Sequence, residues 1–337
     1  MSSPPPFVLF ASALTDGCGD GYARRLAALL DIPVLSLTGR TPLADDAAYA
    51  AARAAWEALA AETRPLIALS VLPAFAPLAQ QLGARGAVVV AHQPLAEASG
   101  LPEAEREWLA VAERQVLALA PDLIASSEAA AEAIVREAAV PRGRITVIAP
   151  PTPQLSRARG SGGPGVAILA KGALLSASAH ELLIVALGGL TDLDWRLAIL
   201  GAGREGDYAA HLTRLAAELG LAARVRFALP AEAETLWQEA DLFALAAAGP
   251  GYRMAAAAAL KRGLPLAICG DATTAPEIPP EAGAVAPPGD RTQLARALRR
   301  LIFDRELRQE MAEAAWRAGA ALPGAEAAAE RLSEALG

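Results

Sequence analysis

Residues 150–170 read Pro-Pro-Thr-Pro-Gln-Leu-Ser-Arg-Ala-Arg-Gly-Ser-Gly-Gly-Pro-Gly-Val-Ala-Ile-Leu-Ala. Pro, Ser and Gly without hydrophobic period break off at Val166, where a continuous apolar run begins. Such a stretch marks a linker followed by a buried strand. The chain has 337 residues, and at roughly 150 residues per domain this seam divides it into two. We therefore expect a first domain over 1–150, a linker over 151–165, and a second domain with terminal helices over 166–337.

Both halves alternate short apolar runs with longer amphipathic ones. Phe7–Ala11, Val34–Leu37, Leu66–Leu69, Val88–Ala91, Leu123–Ala125 and Ile145–Ala149 read as strands of the first half. Helical patterns lie between them at Tyr22–Leu30, Asp45–Ala61, Ala74–Gln81, Pro102–Leu119 and from Ser127. In the second half, Val166–Ala170, Trp195–Leu200, Val225–Leu229, Leu242–Leu245 and Pro265–Cys269 are strands, and the stretch from Arg291 is nearly all helix. This alternation predicts an α/β protein of two doubly wound, Rossmann-like parallel domains. Ligands of such sheets sit at the carboxyl ends of the strands, so a cleft between the domains is the expected site.

Composition excludes several classes. Alanine supplies about a quarter of the chain, with 28 Arg against 2 Lys (Lys171 and Lys261) and no Asn, a skew typical of high-GC bacterial coding. The net charge of −7 argues against a nucleic-acid binder. No apolar run reaches the ~20 residues of a membrane helix, and the N-terminus lacks a signal-peptide pattern, so a cytoplasmic protein is expected. Cys18 and Cys269 with three histidines make neither a disulfide framework nor a metal cluster. Residues 1–150 hold 11 Arg and no Lys against 16 Asp and Glu, which leaves −5. That half offers no basic cluster for an anionic membrane.

Several residues attract a functional reading. Gly17, Gly19 and Gly21 can bring backbone N–H groups to an anion at the helix from Tyr22, or serve only a turn. His92 follows a strand, where a neutral imidazole donates a hydrogen bond, acts as a base, or merely ties a loop. Lys171 ends a strand as a phosphate-contacting cation or an ordinary one. Gly201-Ala202-Gly203-Arg204-Glu205-Gly206 is a literal G-x-G-x-x-G. It follows the second strand of its domain, places Glu205 near a pyrophosphate, and has no acid ending the next strand (Phe227–Pro230). Dinucleotide binding is disfavoured on all three counts. Asp192-Leu193-Asp194 and the run Glu103, Glu105, Glu107 read as solvated surface.

An ordered series of segments resembles the retaining glycosyltransferases of family 4 (group 1), of GT-B architecture. In the first half it comprises His92-Gln93-Pro94-Leu95, Gly100-Leu101, Ala112-Glu113-Arg114, Leu123–Ser127 and Val140–Ile148. In the second half it comprises Arg196–Gly203, Arg224–Phe227, Ala240–Phe243, Gly263-Leu264-Pro265, Pro276-Glu277-Ile278 and Pro288-Gly289-Asp290. The resemblance implies two Rossmann-like domains, no cofactor, a nucleotide-diphosphate sugar as co-substrate and a small-molecule acceptor, and the lack of a basic cluster in residues 1–150 points to a soluble one. It places His92 beside the sugar and acceptor. Lys171 stands at the diphosphate, where the family has Gly-Arg and a later Lys. The loop of Gly19 and Gly21, the Gly201/Gly203 segment, Gly251 and Tyr252 fall on the donor side. The family's two glutamates, eight positions apart, fall on Pro250 and Ala258, and Arg253 replaces a glycine. Neither replacement accepts a hydrogen bond, a loss of roughly 1.5–3 kcal/mol of binding for a charged acceptor. Impaired activity follows, or the alternative of an inactive pseudoenzyme that binds or partners another protein.

Overall fold

A computed structural model describes residues 7–13, 20–92, 94–97, 102–151, 155–172, 174, 178–201, 206–246, 253–270 and 278–337, without the side chains of 97 and 253. The chain forms two compact units, residues 1–151 with 323–337 and residues 152–322.

The first unit runs β1 (Phe7–Ser12), α1 (Asp20–Leu29), β2 (Val34–Leu37), α2 (Asp46–Glu57), β3 (Arg64–Ala68), α3 (Ala79–Ala84), β4 (Val88–Ala91), α4 (Glu103–Leu117), β5 (Asp122–Ala125), α5 (Glu128–Ala138) and β6 (Ile145–Val147). Its sheet, in the order β2-β1-β3-β4-β5-β6, is parallel throughout. The strand order reverses between β1 and β3, which pair from Phe7↔Arg64 to Phe10↔Ile67, so their carboxyl ends meet at the switch point. The helix expected over Ala74–Gln81 is α-helical only from Ala79, where α3 begins. Residues Leu69–Leu78 form a tight 3₁₀ stretch, because Pro73 and Pro77 each remove a helix donor. Ser127 caps α5 as its sequence position suggested, accepting from Ala130 N at 3.0 Å.

The second unit runs β7 (Val166–Lys171), α6 (His180–Gly188), β8 (Trp195–Leu200), α7 (Asp207–Glu218), β9 (Val225–Ala228), α8 (Ala233–Glu239), β10 (Leu242–Leu245), α9 (Arg253–Lys261), β11 (Leu266–Cys269), β12 (Gly283–Ala286), α10 (Arg291–Phe303) and α11 (Arg305–Ala321). Its sheet order is β12-β11-β10-β7-β8-β9, again parallel, with the switch point between β7 and β10. Alternate side chains of each strand enter opposite cores. Ile168, Leu197, Leu242 and Ala267 face one, whereas Leu169, Ala198, Phe243 and Leu266 face the other. Both faces are covered, as an all-parallel sheet demands.

Two boundaries differ from expectation. Residues 155–165 are no free linker, for Ala158 N donates to Arg262 O at 2.9 Å and Arg159 N to Gln238 O at 2.9 Å. They strap the second unit. The last helix, α12 (Ala325–Leu336), was expected with the second domain and belongs to the first. Its apolar stripe Ala328, Leu332 and Leu336 joins the first unit's core, and Arg64 Nη1 donates to Leu336 O at 2.9 Å. A helix follows the face it can bury, not its place in the chain. Leu332 is 0% exposed, so Leu332→Ala is expected to cost about 2–5 kcal/mol. Urea unfolding followed by tryptophan fluorescence measures it, and an unchanged midpoint would remove α12 from that core.

Candidate functional site

Each sheet gathers polar groups at its carboxyl edge. In the first unit, Asp20 opens α1 with a buried carboxylate. It accepts from Ser12 N at 2.5 Å and from the Ser70 hydroxyl, thereby tying the ends of β1 and β3 to the helix start. Burial raises the pKa of Asp20, opposed by Ser70, the Ser12 N–H and the Arg24 charge. Arg24 Nη2 donates to Ser12 O at 2.6 Å and to Ser36 Oγ at 3.1 Å. Gly21, in the first turn of α1, is half-buried; Gly17 and Gly19 lie outside the described residues.

His92 stands at the end of β4, 5% exposed. Ser126 Oγ donates to its carbonyl at 3.0 Å, but neither ring nitrogen has a hydrogen-bond partner among the described residues. Burial pulls its pKa down to about 4. The imidazole is therefore neutral at pH 7, one ring nitrogen a donor and the other an acceptor. Glu113 of α4 holds the following segment, accepting from Leu95 N at 2.7 Å and Ala96 N at 3.2 Å. That contact gives a structural reason for a buried acid in the Ala112-Glu113-Arg114 stretch.

In the second unit, Lys171 pairs in register with Leu200. The sheet therefore sets Lys171 beside Gly201, and Gly172 N closes the junction onto Leu200 O at 3.1 Å. His180 and Ser178, both buried, crowd Gly172. His180 Nε2 lies 3.3 Å from Gly172 O, and a Cβ on Gly172 would meet that nitrogen at 3.2 Å. Sequence reasoning passed over Asp20, Ser70, Ser178 and His180. An acid within the Gly-rich turn at a helix start was the available sign for Asp20. Nothing in the spacing marked His180.

Ala258 lies half-buried on α9. Gly203, Gly251, Tyr252 and Pro250 lie outside the described residues, as do Arg204 and Cys18; Arg253 begins α9. Asp192 is paired with Arg299 through two contacts of 2.8 Å, which lowers its pKa. Cys269 is buried, its thiol 3.0 Å from Pro287 O and its pKa raised by burial. No group of three or more His, Cys, Asp or Glu among the described residues is arranged to hold a metal ion. Nor is any described helix long and apolar enough to cross a membrane.

Residues 154–317 match the family "Glycosyl transferases group 1". No curated protein sequence matches the chain. Among solved structures, Anabaena Alr3699/HepE in complex with UDP and glucose superposes with a TM-score of 0.79 at 18% identity, over 98% of both chains. The sucrose-phosphate synthase (tll1590) of Thermosynechococcus elongatus gives 0.78 at 16% identity, again over 98% of both. WaaG, a glycosyltransferase involved in lipopolysaccharide biosynthesis, gives 0.68 at 13% identity, over 97% of this chain and 99% of that one. At these identities the likeness establishes the two-domain GT-B fold.

His92 also sets a pH dependence. The unfolded imidazole takes up a proton near pH 6.5 and the folded one only near pH 4. The His92 share of stability therefore falls as pH drops through 6.5 and levels off below about 4, a loss of about 3 kcal/mol. His92→Gln removes that share, so the stability difference between pH 7 and pH 4.5 is expected to shrink relative to wild type. Equal pH dependence in both proteins, by urea unfolding, would contradict the assignment.

Proposed function

We propose that this chain, whose second unit matches glycosyl transferases group 1, transfers a sugar from a nucleotide-diphosphate sugar to a small soluble acceptor. The observation carrying the reading is that the family match falls on the unit whose β7 and β8 ends bring Lys171 and Gly201 together. In the transfer, the bond from the anomeric carbon to phosphate oxygen breaks and one to an acceptor hydroxyl oxygen forms, with retention, the hydroxyl proton passing to the leaving diphosphate. Negative charge grows on the leaving diphosphate, and stabilising it is the main electrostatic task. Lys171 is the cation for it, with backbone groups of the Gly201–Gly203 segment and of Gly251 and Tyr252 contacting the donor. Gly19 and Gly21 are the first unit's candidates for contacting a donor anion through backbone N–H groups.

His92 serves the acceptor side. With its pKa near 4 it is a poor base at neutral pH and a good neutral hydrogen-bond partner. Activity is weak, because the positions of the family's paired carboxylates hold Pro250 and Ala258. The alanine at 258 also favours a second reading, in which the protein binds nucleotide without transferring sugar and acts as a partner subunit.

Calorimetric titration with UDP, GDP and ADP, then with their sugar conjugates, tests the donor site. One nucleotide is expected to bind, with Lys171→Ala weakening it about tenfold or more and Ala258→Glu tightening it by a similar factor. Absence of binding at millimolar concentration would overturn the proposal. Binding without turnover of any sugar conjugate would favour the second reading.

A further inference from the structure

The amino ends of the second unit's strands carry a polar cavity, at the opposite end of the sheet from Lys171 and Gly201. It measures about 480 Å³ and lies between the strap of residues 157–165 and the first turns of α11. Arg157, Arg159, Arg305 and Arg308 all line it. Asp241 is its one lining carboxylate among the described residues, and it is already committed to Ala167 N at 2.8 Å and Ser161 N at 3.1 Å.

The four arginines are unequally occupied. Arg157 pairs with Glu313 and lies 5.7 Å from the Trp316 ring centre. Arg308 uses only Nη1, donating to Leu301 O at 2.7 Å and Ile302 O at 3.2 Å. The exposed side chains of Arg159 and Arg305 have no hydrogen bond or ion pair among the described residues. Arg305 and Arg308 also sit in the first turn of a 17-residue helix. Its dipole already places positive charge there, and cations at that end are unfavourable. Asp304 caps the same turn, accepting from Leu307 N at 2.9 Å, and offsets part of this. Burial lowers the pKa of Arg308, Asp241 opposes that, and Arg305 adds to it.

The strap contributes backbone. Gly160 must be glycine because a Cβ would meet Asp241 Oδ1 at 2.7 Å, but at Gly162, with φ of +62°, a Cβ would meet nothing within 4 Å. Its positive φ accounts for the glycine there, and it lines the same cavity as the arginines. Converging arginines, a left-handed glycine turn and a helix start are the components of oxyanion recognition.

We propose that this cavity binds a small phosphorylated solute, at a site separate from the donor-binding strand ends. Its volume exceeds a lone phosphate and suits a ligand the size of a sugar phosphate. The inference rests on these side chains and stands or falls independently of the transferase reading.

Inorganic pyrophosphate, titrated calorimetrically at low salt into the full-length Lys171→Ala variant, tests it with the strand-end cation removed. Saturable binding is expected, weakened about tenfold or more when Arg159→Ser and Arg305→Ser are added. Adding Arg25→Ser and Arg214→Ser, which remove the same charge elsewhere on the surface, is expected to change affinity by less than about twofold. All four positions are exposed, and thermal midpoints check that each variant is folded; the single substitutions serve if a double does not fold. No saturation by about 10 mM, or equal weakening by both pairs, overturns the proposal. So does binding seen in wild type and lost in Lys171→Ala, which would place pyrophosphate at the strand ends alone.

Discussion

A parallel strand covered on both faces has room for polar chemistry only at its ends. The central strands here obey that constraint strictly: all four residues of β4, of β10 and of β11 are buried. Backbone groups of such strands pair along the ladder, and buried side chains on both faces leave no room there for polar chemistry. Polar groups are thereby displaced to the junctions where strands meet loops. Asp20, Ser70, His92 and Ser126 mark them in the first unit, with Lys171, Ser178 and His180 in the second. At the opposite edge, Asp241 sews the strap to the start of β7. The sites are consequences of the sheets before they are consequences of any particular reaction.

The same constraint explains what was legible in the sequence. Val88–Ala91, buried along its whole length, is a strand over the residues that its apolar run defines, because a buried parallel strand carries a continuous hydrophobic signal. β12, Gly283–Ala286, was missed: two alanines, a glycine and a valine have too little β-branched character to stand out, and its Val285 is 44% exposed. Apolar content misled over residues 69–78, where a rich hydrophobic pattern persists through Pro73 and Pro77 although the prolines forbid a regular helix. The fate of α12 was hidden for another reason. Its stripe announces a buried face, but nothing local says which of two cores will take it.

Site residues followed a different rule. Lys171 and His92 were visible as polar punctuation directly after apolar runs. His180 was not, because its contact with Gly172 O depends on how the chain returns from β7 into α6. Ala258 is a further case. Packing dictates small residues elsewhere on α9, where a Cβ on Gly319 of α11 would come within 2.4 Å of Leu260 carbonyl carbon. Ala255, Ala256 and Ala259 are accordingly buried. Ala258 is half-buried and packs against the same core, so helix packing bears on its small size as well.

Charge usage draws these observations together. The chain carries 28 arginines and places lysine only at positions 171 and 261. Lys261 is 8% exposed and burial lowers its pKa; Lys171 is half-buried at a strand end. Most arginines instead work at the surface, paired with carboxylates or capping carbonyls, as Arg299 does with Asp192 and Arg144 with Leu117, Ala118 and Pro121. An ammonium is compact and reaches an enclosed junction on a flexible stem, where a planar guanidinium needs a wider slot for its five donors. Such a point charge cannot grip an oxyanion bidentately, as a guanidinium can. Where guanidinium groups do converge without enough acids to occupy them, around the strap and the start of α11, the geometry is that of a wider and more exposed anion site.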